Sequence, residues 1–428
     1  RFPDTEEVTS SNLVTPTIVR QRSAGETRPT FFVWSQVCPR THMYEEDRET
    51  QAVLITTDEQ LRDFCARAQG SEVLAIDTEF LREKTYRARL CLVQLGTDDE
   101  QVAVDPFCVH DVEPLVALFK DPAITKVLHA CSQDMEVLQE WCGTLPSPIF
   151  DTQMAASFIS DRYQIGYGAL VEDFCHVHLP KAESLTDWSA RPLDAKQIAY
   201  ALDDVRYLPG IWRTMRARLE ELGRTAWLED DFAHACDPQS YRHDPREAYR
   251  KVKRVGSLSR RQMSVAREVA AWRENLAAKI DKPRRWVMGD ELLAEIAKRM
   301  PSTDAALMRI RGGADLSAQD RAEVLAAVRA GVACPPELYP DTPHRSKPSL
   351  ESECVCDLMY ALTRMVADRE HIASSILASR DELIDYFEHR ASSPLSRGWR
   401  HELLGSHLDA LLEGQIGLTV VDGKIELL

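Results

Sequence analysis

The chain has 428 residues, 44% of them hydrophobic, and a formal net charge of −16. That length accommodates two to four domains of roughly 100–200 residues, and that apolar share excludes disorder throughout. No apolar run approaches the ~18 residues that span a bilayer, and eleven cysteines without a C-x-x-C pair give neither a disulfide framework nor a zinc pattern. Cysteines in apolar runs, such as Cys91 in "RLCLVQL", read as small core residues, which fits a reducing cytoplasm. The charge is uneven: residues 251–330 carry 17 Lys and Arg against 10 Asp and Glu. A basic module on an acidic body points to a polyanionic partner, although a solvated helical surface would have the same composition.

In chain order, residues 1–50 are polar and without periodicity, and no structure is forced on them. Met43, in "MYEEDRET", is the expected translation start, with the preceding stretch an extension. "AVLITT" then reads as a strand, and "TDEQLRDFCARA" as a helix capped by Thr57 or Asp58. Three strand-like runs follow, "VLAIDTEF" (73–80), "ARLCLVQLGT" (88–97) and "QVAVDPF" (101–107). Their short connections predict an antiparallel meander. "VEPLVALFK" is a helix and "KVLHA" (126–130) a strand. The run 132–143 is a helix capped by Ser132 and ended by Gly143, and "PIFDT" (148–152) follows. Helices are predicted around 168–176 and 194–222. Residues 257–332 are helical throughout. A proline-rich linker (334–348) leads to a second helical block (351–416) and a final hairpin turning at Asp422–Gly423. The division expected is an extension (1–50), an α/β domain (51–222), a helical linker (223–256), a helical domain (257–332), a proline-rich linker (333–350) and a second helical domain (351–428).

Within "AIDTEF", Asp77 and Glu79 are two apart on a strand and so point to one face. Two close like charges are costly without a cation between them, and hard divalent ions take carboxylate oxygens. The pair alone is also what a solvent-exposed strand end carries. Asp134 follows a strand end at the opening of a helix, where α/β sites gather, although a first-turn acid is also favoured there by the helix dipole. In "QIAYALDDVRYL" (197–208), Tyr200 and Asp204 lie four apart on one helix face, whereas Asp203 is turned about 100° away.

Asp77, Glu79, Asp134, Tyr200 and Asp204 together match, in order and context, the DEDDy class of 3′→5′ exonucleases. The chain is most similar to the ribonuclease D family. "DTEFLREKTYRARLCLVQL", "KVLHACSQDMEVL" and "SLTDWSARPLDAKQIAYALDDVRYL" resemble its three motifs, and the likeness covers about residues 52–210. "REVAAWRENLAAKIDKPRRWVMGDELL" is similar to an HRDC domain, and 351–428, with "GWRHELLG", to a second, more divergent copy. Cys131 stands where the family carries a small glycine. The fold implied is a ribonuclease H-like α/β exonuclease domain with a mixed sheet, followed by two all-α HRDC domains.

The resemblance implies two divalent ions, Mg²⁺ or Mn²⁺, ~3.5–4 Å apart. One would be held by Asp77, Glu79 and Asp204, the other by Asp77 and, through water, Asp134. Tyr200, ordinarily titrating near ~10, is better suited to orienting the attacking water than to taking its proton. Thr78 is expected to meet the 3′ ribose through its backbone, and Phe80 to stack on the last bases unless it is core. His129, Trp188 and Arg191 are further substrate-binding candidates; Arg191 reaches either a phosphate or an active-site acid. Gln94, in an apolar strand, needs a buried partner and reads as structural. Arg260, Arg261, Lys282, Arg284 and Arg285 are candidates for RNA phosphates, whereas Trp286 reads as a helix-packing aromatic. The activity implied is trimming of RNA 3′ ends, such as those of tRNA precursors, by a cytoplasmic protein, expected to be a monomer, that needs no membrane. A DNA exonuclease of the same fold and an inactive RNA-binding scaffold are the rival readings; neither a G-x-G-x-x-G nor a G-x-x-x-x-G-K-[ST] motif is present.

Overall fold

The structure, a computed structural model, describes residues 53–180, 186–341 and 349–428. The extension 1–50, with its expected start at Met43, and residues 342–348 of the linker lie outside them. Six short apolar runs form one mixed sheet: β1 (Val53–Ile55), β2 (Val73–Leu81), β3 (Arg89–Gly96), β4 (Gln101–Val104), β5 (Thr125–Leu128) and β6 (Ile149–Asp151). Their order is β1-β4-β3-β2-β5-β6. β2, β3 and β4 form the expected antiparallel meander, β1 joins β4 in parallel, and β5 and β6 extend the sheet in parallel from β2.

Alternation along the strands divides the core in two. Leu74 and Ile76 of β2 face α1 (Asp58–Ala68), α2 (Glu113–Lys120) and α3 (Ser132–Cys142), whereas Val73 and Ala75 face the opposite layer. That layer holds α4 (Thr152–Ala156), α5 (Tyr167–Cys175), α6 (Ala195–Arg206) and α7 (Leu208–Glu221). Thr57 caps α1 in a reciprocal capping box with Gln60. The predicted run 194–222 divides at Tyr207, because Pro209 lacks the N–H that a continuous helix would use. Ser132 does not cap α3. Cys131 occupies that position with φ −59°, and the backbone N–H groups there go to Asp151 instead. The glycine of the family is therefore dispensable at position 131; the left-handed residue is Ala130, at φ 60°.

Beyond α8 (Glu229–Ala235), α9 (Arg260–Ile280), α10 (Arg284–Val287), α11 (Asp290–Arg299), α12 (Asp304–Met308) and α13 (Ala318–Ala333) enclose a separate core. A further core is built by α14 (Leu350–Glu370), α15 (Ser374–Leu377), α16 (Arg380–His389) and α17 (Ser406–Leu412). α14, α15 and α16 repeat α9, α10 and α11 in length, each 90 positions later. The left-handed residue after the long helix recurs as well, as Asp281 (φ 48°) and His371 (φ 53°). A hairpin of β7 (Leu418–Val421) and β8 (Lys424–Leu427) closes the chain. Its turn residues Asp422 and Gly423 both have positive φ, as a two-residue turn requires. Among the described residues no helix is long and apolar enough to cross a membrane.

Both helical blocks touch the α/β domain. In the first, the Asp281 carboxylate accepts the N–H groups of Tyr86 (3.0 Å) and Arg87 (3.3 Å), and the Tyr86 hydroxyl donates to Glu274 (3.0 Å). In the second, the Trp399 ring lies 5.6 Å from that of Phe158 and stacks on Trp227 of the adjoining segment at 4.8 Å, and Ala373 N–H donates to the Ser157 carbonyl. Arg224, 5% exposed, ties this seam by donating to Phe158 O (2.9 Å) and Glu370 O (3.0 Å). Arg224→Ala would strand the buried Phe158 carbonyl and leave Glu370 to its exposed neighbour Arg369, a loss of about 2 kcal/mol for buried acceptors left unpaired. Urea denaturation should report that loss, and limited proteolysis should release the C-terminal helical block sooner than from the unaltered chain.

Candidate active site

β2 is longer than its neighbour. It pairs with β5 only through Val73–Ala75, so residues 77–81 run on beyond the end of β5 with β3 alone beside them. Asp77 and Glu79 therefore lie on one face of an uncovered strand end, the position where α/β sheets place ligands. α6 supplies the third acid. Its start is fixed by an Asp194–Gln197 capping box. Its packing distance is set by Gly96, where a Cβ would come within 3.3 Å of Val205. Carboxylate oxygens of Asp77, Glu79 and Asp204 all lie within 4.8 Å of one another. Asp203, the neighbour set aside on helical geometry, pairs with Arg206 at 3.0 Å.

Asp134 arrives from the other side. α3 packs on the Leu74–Ile76 face, so Asp134 approaches past the end of β5 and is joined to β2 through Thr78, whose hydroxyl donates to its Oδ1 at 2.5 Å. Thr78 is 6% exposed and Asp134 7%. Asp134 lies outside the compact triad but acts electrostatically on Asp77 and Glu79.

This crowding raises every carboxyl. Burial, then Asp134, Asp204 and Glu79, hold Asp77 far above the usual range. Burial and the charges of Asp204 and Asp134 push Glu79 up to about 8. Burial and Asp203 bring Asp204 to about 7. Asp134 rises to about 6 through burial, held back by the Thr78 hydroxyl. None of the three converging acids forms an ion pair among the described residues, unlike Asp105, which has Arg191. A donor set of three oxygen anions without a protein cation fits a hard divalent ion. Gln94 adds to this. It sits directly across from Asp77 on β3, is fully buried, and finds no partner for either amide atom among the described residues. The partner that its sequence context called for is missing, and the hydration shell of an ion beside Asp77 is a polar neighbour that could meet it.

Several substrate-binding candidates turn inward. Trp188 is 3% exposed, its ring 6.3 Å from that of Tyr200, and thus supports the tyrosine from within the core. Arg191 reaches neither a phosphate site nor an active-site acid. It grips Asp105 at 2.6 and 2.9 Å and the carbonyls of Trp188, Ala190 and Cys91, which occupies all five donors. His129 is half-buried between Thr152 Oγ1 and Ile165 O, each at 3.0 Å, and burial holds its imidazole below the ordinary value. Phe80 is half-buried against the α1–α3 core with the Arg82 guanidinium 5.7 Å from its ring. Of the basic candidates, Arg260 is tied to Tyr339, Pro340 and Asp341, and Arg284 to Glu274, whereas Arg261, Lys282 and Arg285 are exposed.

Two positioning residues escape sequence reasoning. Asp151 accepts four backbone N–H groups, from Ala130, Cys131, Gln153 and Met154, and thereby locks the turn that aims Asp134. An acid opening a short helix in "PIFDT" was the available signal. Tyr167 meets His129 edge-on at 5.6 Å and donates to the Asp203 carbonyl at 2.8 Å, so it joins the end of β5 to the stretch bearing Asp204.

Known proteins are similar to this chain in sequence and fold. A family described as 3′-5′ exonuclease matches residues 52–220, and one described as HRDC domain matches 262–328. Ribonuclease D of Acidiphilium cryptum is 36% identical over 383 residues, covering 88% of this chain and 97% of its own. Ribonuclease D of Granulibacter bethesdensis is 37% identical over 87% of this chain and 95% of its own. The crystal structure of Escherichia coli RNase D, described as an exoribonuclease involved in structured RNA processing, superposes with a TM-score of 0.73 at 30% identity. The match covers 84% of this chain and 98% of that one.

The raised carboxyls have a thermodynamic consequence. From about pH 4 to about pH 8 the native ion-free site holds protons that the unfolded chain has released, so stability falls as pH rises through that window. The melting temperature of EDTA-treated protein should drop between about pH 5.5 and 8.5, and Glu79→Gln should flatten the slope. Added Mn²⁺ should raise the melting temperature most at the alkaline end. Thr78→Val should weaken Mn²⁺ binding in calorimetry by about 10–100-fold, as loss of a residue that orients a ligand does, whereas Thr78→Ser should retain it.

Proposed function

We propose that this chain, which belongs to the ribonuclease D family, takes single nucleotides from the 3′ ends of structured RNA, tRNA precursors among them, through a site for two divalent ions. The chain is a hydrolase, a metal-dependent 3′→5′ exoribonuclease. The observation that carries the fuller reading is the triad Asp77, Glu79 and Asp204, three acidic side chains within 4.8 Å of one another at an uncovered strand end, with no ion-pair partner among the described residues.

In this reading Asp77, Glu79 and Asp204 hold one ion, Mg²⁺ or Mn²⁺, and Asp77 shares the second with Asp134, through water. Ions bound there supply Lewis acidity to the scissile phosphate and promote ionisation of water. Asp134 is kept in reach by Thr78 and by the Asp151-locked turn. Tyr200, one turn before Asp204 and braced by Trp188, orients the attacking water through its hydroxyl. The backbone at Thr78 and the ring of Phe80 lie on the same strand as Asp77 and take the terminal nucleotide. His129, Trp188 and Arg191 act as braces, not as substrate contacts.

The chain falls into an extension (1–50), an exonuclease domain (51–222), a helical linker (223–256), a first HRDC domain (257–332), a proline-rich linker (333–350) and a second, HRDC-like domain (351–428). The second domain's status is supported by the repeat of three helices at a constant offset of 90 positions. In the first HRDC domain Arg261, Lys282 and Arg285 are the basic side chains open to RNA phosphates.

Wild-type protein should release 5′-nucleotides from a 5′-labelled RNA, stop with EDTA, and be impeded by a 3′-phosphate cap. Glu79→Gln should cut kcat by at least about 10²-fold, the scale of losing one preorganised electrostatic contact, while RNA affinity stays within about twofold. Trimming at the wild-type rate by Glu79→Gln would overturn the ligand assignment.

A further inference from the structure

The helical repeat places the same corner in two settings. In the second block, residues 371–377 read His-Ile-Ala-Ser-Ser-Ile-Leu. Ile372 and Ala373 are buried, Ile376 packs against the α4–α7 core of the exonuclease domain, and Ala373 N–H bonds to the Ser157 carbonyl. That copy of the corner is a docking edge between domains. The equivalent residues 281–287 of the first block read Asp-Lys-Pro-Arg-Arg-Trp-Val. Only Asp281 there bonds to the exonuclease backbone, its carboxylate accepting the N–H groups of Tyr86 and Arg87. Trp286, at the position of Ile376, is 63% exposed. It is the one exposed residue among the seven tryptophans described, which overturns the expectation that it packs between helices.

An indole left in water at a position that its repeat copy uses for contact calls for a partner. The surroundings select the partner's chemistry. The Lys282 ammonium lies 5.8 Å from the Trp286 ring centroid, and Lys282 and Arg285 are exposed. The nearby acids are already engaged, Asp281 by two N–H groups and Glu274 by Tyr86 and Arg284. An apolar protein partner is met by Ala373 and Ile376 in the second block; a flat aromatic among cations suits an anion with planar faces. The location agrees. Asp281 is pinned to the 82–88 loop, which carries Arg82, Lys84 and Arg87 and continues directly from β2 with Asp77 and Glu79. Trp286 is only five residues, at most about 17 Å of chain, from that pin.

We propose that Trp286, with Lys282 and Arg285, is a stacking platform for single-stranded RNA on its way to the active site. The indole takes an unpaired base upstream of the 3′ terminus, and the two cations take the flanking phosphates. The proposal rests on RNA being the substrate.

The test compares two RNAs, a tetranucleotide confined to the catalytic cleft and an unstructured 16-mer long enough to reach the first helical block. Trp286→Ala should raise KM for the 16-mer by about 5- to 100-fold, the range for loss of one base–aromatic stack. It should leave kcat and KM for the tetranucleotide unchanged, and Trp286→Phe should restore most of the 16-mer affinity. Scanning an abasic nucleotide along the 16-mer should reveal one position that weakens wild-type binding and has no effect on Trp286→Ala. An unchanged 16-mer KM in Trp286→Ala would overturn the platform, as would an equal loss on both RNAs. Failure of the wild type to trim the tetranucleotide would instead strike the exoribonuclease reading, and the abasic scan by direct binding would still decide the platform.

Discussion

Electrostatic repulsion among Asp77, Glu79 and Asp204 is the constraint to which the exonuclease domain answers. Three carboxylates within 4.8 Å would separate if their supports allowed it. The supports do not allow it. β2 is held by β3 along the whole acidic stretch, and by β5 only before that stretch begins. α6 is pressed on the sheet at Gly96, fixed at its start by a capping box, and tied through Tyr167 to the stretch after β5. Burial of the surrounding apolar core supplies the free energy that keeps the acids together until a cation screens them.

Much of this was legible in the sequence because it depends on short-range periodicity. A spacing of two on a strand and four on a helix fixes which side chains share a face, whatever the wider fold. The meander, the capping box at Thr57 and the Asp422–Gly423 turn are local in the same sense. What could not be read depends on contacts between distant segments. Arg191 finds Asp105, 86 positions away, and Trp188 lies beneath Tyr200. Asp134 reaches the site from the far side of the sheet by way of Thr78. A motif shows that such residues matter in their neighbourhood; it does not show whether they face the cleft or the core. The entry to α3 belongs here too, since the N–H groups of Ala130 and Cys131 just ahead of it are met by Asp151 at the end of β6, and Ser132 caps nothing.

The helical half divides its labour by changing one short edge. α9–α11 and α14–α16 keep the same lengths and the same left-handed corner, so their scaffold is conserved within the chain. Apolar residues at 373 and 376 make the second copy an internal clamp on the exonuclease domain. Cations and an indole in the first leave its edge open beyond Asp281, which anchors it beside the strand that carries Asp77 and Glu79. Two helical blocks that share this three-helix repeat thus turn one corner inward in one case and outward in the other.

Buried acids in this protein fall into two classes, and the difference lies in what compensates them. Asp151 is buried and receives four backbone N–H groups. Asp105 is buried and receives a bidentate guanidinium; burial alone would raise its carboxyl, but Arg191 and the Phe107 N–H hold it below the usual range. Both charges are fully met within the protein, and both act on architecture. Asp77, Glu79 and Asp204 are partly buried with no such compensation, and each is raised by burial and by its neighbours. A fold retains uncompensated charge only where something outside the chain completes it, because otherwise an apolar residue of similar size would be more stable there. By that criterion the group Asp77, Glu79 and Asp204 is distinguished from the other buried carboxylates by physics alone, before any motif is consulted.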